Sequence, residues 1–115
     1  MNRKQFAKYL ERDGHCVCGC GSIETLVPQH RANRGHGGSK LLDRPSNVIV
    51  LCSGMNGDIE SLPHLARKAR LYGWKLQRWQ IPEDEPFFDV ITQSWWLIDN
   101  EYNRVPHGGP RAVDS

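Results

Sequence analysis

The chain has 115 residues, 38% of them hydrophobic and 24% charged, with a formal net charge of +2. That length allows one modest domain with a small appendage, and the composition excludes a disordered chain. So small a positive charge suits a nucleic-acid partner only where the basic residues cluster.

The opening MNRKQFAKYL is charged and lacks the apolar stretch of a signal peptide. No apolar run approaches the roughly 20 residues needed to span a bilayer. These features place the protein in a reducing cytoplasm, away from membranes. The four cysteines there point to metal or free thiols before disulfides.

In chain order, residues 2–12 set Phe6, Tyr9 and Leu10 at helical spacing behind Asn2 as N-cap, with the helix ending at Asp13-Gly14. HCVCGCG follows as a tight turn. IETLV (23–27) reads as a strand stopped by Pro28, and residues 31–46 as a polar loop closed by Pro45-Ser46. VIVL (48–51) is a second, strongly apolar strand. GMNGDIES forms a brief helix. Pro63 inside one long helix from Met55 to Tyr72 would cost about 3 kcal/mol. The helix is therefore expected to break near Ser61–Leu62, and a new one, HLARKARLY, to end at Gly73. WKLQRWQ, FFDVI and SWWLID read as short antiparallel strands holding all four tryptophans, taken as core residues. From Arg104 onward the chain reads as a flexible tail. The expected organisation is a core with flanking helices over 1–73, a small β extension over 74–103 and a tail over 104–115.

Taken together, VPQHR, the GHGG loop, PSNVIVLC and NGDIE resemble the HNH endonucleases, over about residues 12–61. The GWKLQRW and WWLID segments are similar to those of small HNH proteins of actinobacterial phages. The resemblance implies an α+β fold with a ββα-metal core, and a metal-dependent DNA endonuclease. It implies His30 as general base at the end of the first strand, and Asn47 as the residue pinning the loop across the site. It also implies a metal held by Gln29, Asn56 and Glu60. Asn56 and Glu60, four apart on a helix, share a face as a common ligand requires. An imidazole titrating near roughly pH 6.5 accepts a proton from water at neutral pH, and such a base contributes about 10²–10⁴-fold. Arg31, Arg34 and Lys40 would hold flanking phosphates. The products would carry a 5′-phosphate and a 3′-hydroxyl, and a phage large terminase is an implied partner.

The chain also departs from the family. Its proposed ligands are two neutral amides and one carboxylate, a set that favours Mg²⁺ or Mn²⁺ and binds weakly without DNA. The usual two C-x-x-C pairs are replaced by Cys16, Cys18 and Cys20 with a lone Cys52, since position 55 is methionine. These four can still make a structural Zn²⁺ site. Each residue also has a plain reading: His30 as a hydrogen-bonded surface histidine, Asn47 as a turn residue, Glu60 as a solvated carboxylate. The competing function is a catalytically weak or inactive Cys-stabilised DNA-binding module on a decayed HNH fold.

Overall fold

The structure, a computed structural model, describes residues 1–32 and 43–109. It is a small α+β chain. Among the described residues it has three helices and two antiparallel sheets. No helix among them is long and apolar enough to cross a membrane.

Helix α1, Arg3–Asp13, starts where Asn2 Oδ1 accepts the Gln5 N–H at 2.8 Å and stops at Gly14, whose N–H returns to the Leu10 carbonyl. Strand β1 is Leu26–His30 and β2 is Val48–Cys52, paired antiparallel so that His30 faces Val48 and Gln29 faces Ile49. The first strand is displaced from the expected 23–27 and runs through Pro28. The proline is tolerated because it sits opposite Val50, whose N–H and C=O turn away from β1 to Asp13 and Val17. The Pro28 position therefore needs no donor to the ladder.

Alternation along β2 divides the interior in two. Val48 and Val50 pack with Tyr9 beneath α1. Ile49 and Leu51 pack with Ile59, Ala69, Trp74 and Phe87 on the other face. Helix α2, Ser53–Ser61, and helix α3, Pro63–Leu71, cover that second face, with the expected break at Leu62. Helix α3 ends in a Schellman motif: Trp74 N–H bonds the Ala69 carbonyl and Gly73 N–H bonds that of Arg70. Gly73 has φ +74°, and a Cβ there would overlap the Pro86 carbonyl oxygen, so only glycine fits.

The second sheet is β3 (Phe87–Asp89), β4 (Ser94–Ile98) and β5 (Arg104–His107), in that order. Two expectations change here. Residues 74–80 form turns, bridged to the chain just after β1 at Ala32–Leu76, and Trp79 is 77% exposed instead of core. Arg104 does not open a tail. It begins β5 and donates to two buried carboxylates, Asp13 at 3.1–3.2 Å and Asp89 at 2.8 Å. Asp89 also holds His15, and Asp13 also holds Arg12 and the Val50 N–H. The start of β5 is thus tied to the first helix and, through Asp13, to the first sheet. Residues 110–115 lie outside the described residues.

A smaller tie crosses the surface. Glu83 accepts from Arg44 at 2.7 Å and from Asn100 at 2.9 Å, and Arg44 chiefly holds its carboxyl down to about 2. A carboxyl depressed on folding stabilises above its unfolded value and loses that contribution as pH falls through the folded one. The melting temperature of Glu83→Gln should therefore lie below wild type at neutral pH. The gap should narrow between about pH 4.5 and pH 2. A gap that stays constant down to pH 2 would refute this assignment.

Candidate functional site

His30 ends β1, and its Nε2 lies 2.6 Å from Asp43 Oδ1, with both side chains about one third exposed. Asp43 is in turn fixed by Tyr9, whose hydroxyl donates to the Asp43 carbonyl at 3.0 Å. A carboxylate can only accept, so in the neutral imidazole the proton sits on Nε2 and the lone pair on Nδ1. Asp43 is not legible as a partner in the sequence. It is thirteen residues from His30, beyond the described ladder, and no spacing rule links the two.

Asn47 is fully buried and clamps the backbone just beyond His30. Its Oδ1 accepts the Ala32 N–H at 2.8 Å and its Nδ2 donates to the Ala32 carbonyl at 3.2 Å. Its own carbonyl takes the Arg31 N–H at 2.8 Å. Three bonds therefore hold the strand end in one geometry, which also sets the direction of His30.

The proposed metal ligands are placed differently. Gln29 is buried, and its Nε2 donates to the carbonyls of His30 and Trp74 while its Oε1 accepts from Asn56 Nδ2 at 2.5 Å. Glu60 is largely exposed and pairs with Lys75 at 2.9 Å. The structure thus brings Gln29 and Asn56 together but turns their amides toward one another. Since Gln29 and His30 alternate along β1, they leave the ribbon on opposite faces, Gln29 toward α2 and Trp74, His30 toward Asp43 and Tyr9. Among the described residues these four side chains do not face one common point.

Arg31 is the clearest displacement from expectation. It is 0% exposed, and its five N–H groups meet five backbone carbonyls: Gly73, Ser46, Pro82, Glu85 and Pro86. Burial pulls its pKa down to about 9, which still leaves it charged at neutral pH. It is a core hub and not a phosphate contact. Arg34 and Lys40, and the glycines at 35, 37 and 38, lie outside the described residues.

The cysteines converge. The sulfurs of Cys16, Cys18, Cys20 and Cys52 all lie within 4.8 Å of one another. A tetrahedron with Zn–S bonds of about 2.3 Å has sulfurs roughly 3.8 Å apart, so a small contraction closes the set. Backbone amides point at three of the sulfurs: Cys52 N–H to Cys16 at 3.0 Å, Met55 N–H to Cys52 at 3.3 Å and Ser22 N–H to Cys20 at 3.4 Å. Such N–H···S bonds favour thiolates. Cys52 is also the N-cap of α2, where the helix dipole favours negative charge, although burial pushes its thiol pKa up against the Met55 amide. The Cys18 thiol, 3.1 Å away, and the neighbouring amides together lower the Cys16 pKa to about 5. Gly19, at φ +82°, lets the C-x-C-x-C turn close against Val90. Four cysteines so placed are compatible with a structural metal such as zinc.

Compared with family models, curated proteins and solved structures, the chain finds no match in any of the three.

Proposed function

We propose that the protein is an HNH-type DNA endonuclease in which His30, held by Asp43, is the general base. The observation that carries this reading is the 2.6 Å His30–Asp43 pair at a strand end, directly beside the Asn47 clamp. A neutral imidazole whose Nδ1 has no partner among the described residues, with an acceptor orienting its other nitrogen and a rigid backbone behind it, can deprotonate water. The water gives its proton to Nδ1 as its oxygen bonds to phosphorus and the P–O3′ bond breaks, and the departing 3′ oxygen takes up a proton from solvent. The strand–His–loop–Asn–strand–helix order supports the same reading, and zinc in the four-cysteine site would hold the loop of residues 16–20 against the start of α2.

A resident Mg²⁺ or Mn²⁺ does not fit Gln29, Asn56 and Glu60 as they stand. Two of the three groups satisfy each other and the third is paired with a lysine. That same observation favours a second reading, a Cys-stabilised DNA-binding module without turnover. DNA is the partner in both; a phage large terminase rests on resemblance alone.

Plasmid nicking with Mg²⁺ or Mn²⁺ separates them. Under the first reading His30→Ala loses nicking by about 10²-fold or more while still binding DNA, and Asp43→Asn loses part of it. Binding without nicking in any metal establishes the second reading. Nicking that survives His30→Ala overturns the assignment of the base.

A further inference from the structure

We propose that the exposed cations of α1, Arg3, Lys4 and Lys8, form a track for the DNA backbone leading to the His30–Asp43 pair. This rests on the DNA reading above and names the surface that would take the substrate.

The argument begins from the faces of the β1–β2 ribbon. His30 lies opposite Val48, and Val48 belongs to the cluster that packs on Tyr9 of α1. Helix α1 and His30 therefore share one face, while Gln29, α2 and α3 occupy the other. The contact is direct: the Tyr9 hydroxyl bonds the Asp43 carbonyl, and the Met1 nitrogen lies 3.9 Å from Asp43 Oδ2. The first two turns of α1 thus flank the proposed base.

The charge on those turns is of one sign. Arg3, Lys4 and Lys8 are exposed, and Lys4 and Lys8, four apart, stand above one another on the helix. Lys8 rests its ammonium 5.2 Å above the Tyr102 ring, a contact that positions it without neutralising it. The first turn holds no acidic residue, although helix stability would favour one there. Glu11, a turn further on, is the exposed acid of this helix. Cations placed against the helix's own preference suit an outside polyanion better than they suit folding. They also supply what burial of Arg31 removes, exposed positive charge on the face of the ribbon that carries His30.

The test is the salt dependence of binding. Anisotropy of a labelled duplex of about 20 base pairs would be followed from roughly 50 to 200 mM NaCl in a His30→Ala background, which leaves the duplex intact. The variant carries Arg3→Gln, Lys4→Gln and Lys8→Gln, all at exposed positions; a control carries Arg67→Gln and Arg70→Gln on α3. The α1 variant is expected to bind at least about ten-fold more weakly. The magnitude of its log K against log salt slope should fall by about 0.9 for each phosphate that is no longer neutralised. The control should keep the full slope, and unchanged melting curves show that both are folded. An α1 variant with the parent's affinity and slope overturns the track, as does a loss carried by the α3 control. If the parent itself binds no duplex, the DNA reading fails and the track with it.

Discussion

Replacing Arg31 with methionine is expected to destabilise the protein by about 3–5 kcal/mol, the scale set by several buried acceptors losing a charged donor together. Methionine keeps much of the volume and the apolar stem, so the loss reports hydrogen bonding more than packing. Five carbonyls, from residues 46, 73, 82, 85 and 86, lose their donors at once. Each orphaned buried acceptor costs about 1–3 kcal/mol if nothing relaxes. Water entry and the second lone pair of each carbonyl bring the sum below that ceiling. The guanidinium also sits 5.8 Å over the Phe87 ring, a contact methionine replaces only in part. In a chain of this size the expected loss lowers the melting temperature by roughly 10–20 °C, read by circular dichroism. Arg31→Lys is the informative companion. It keeps the charge but has three donors in place of five, so it should fall between methionine and wild type. A methionine variant melting within a few degrees of wild type would show that the five bonds contribute nothing net.

This hub shows what a sequence can and cannot disclose. Local chemistry is readable: Asn2 and Gly14 bound the first helix, Pro63 divides the next two, and the apolar run at 48–51 is a buried strand. Each of these rests on interactions within a few residues. Arg31 misleads because an arginine after a histidine in a polar stretch has the composition of a surface group. Its partners come from three segments up to 55 residues away. Arg104 misleads for the same reason, since its carboxylates are 91 and 15 residues distant. Pro28 does so through a rule that is sound for central positions but does not apply where the carbonyl and amide opposite point away. At the site, the cysteines are legible because thiols in a short C-x-C-x-C turn have few other uses. The sidedness of Gln29 and His30 is not, because the resemblance supplies roles for adjacent residues while the pleat decides which way each one points.

The second large effect belongs to the cysteine cluster, and Cys20 is the position that isolates it. Cys16 is packed in the core, so its replacement would cost stability with or without a metal. Cys20 is exposed, and its sulfur accepts one long bond from Ser22. In a metal-free protein Cys20→Ser should therefore be nearly silent. With zinc bound as proposed, it removes one of four ligands and leaves three thiolates crowded around an under-coordinated ion. Structural zinc contributes on the order of 10 kcal/mol of binding free energy in small modules, part of it used to order the loop. Purified protein is expected to carry one zinc per chain by elemental analysis. Chelation, or Cys20→Ser, should lower the melting temperature by roughly 10–20 °C, and the two treatments together should do no more than either alone. Added zinc should restore the chelated wild type but not the variant. Metal-free protein with an unchanged melting curve, or a Cys20→Ser variant that melts like wild type in zinc, would leave the four sulfurs as a cluster of free thiols held together by N–H···S bonds alone.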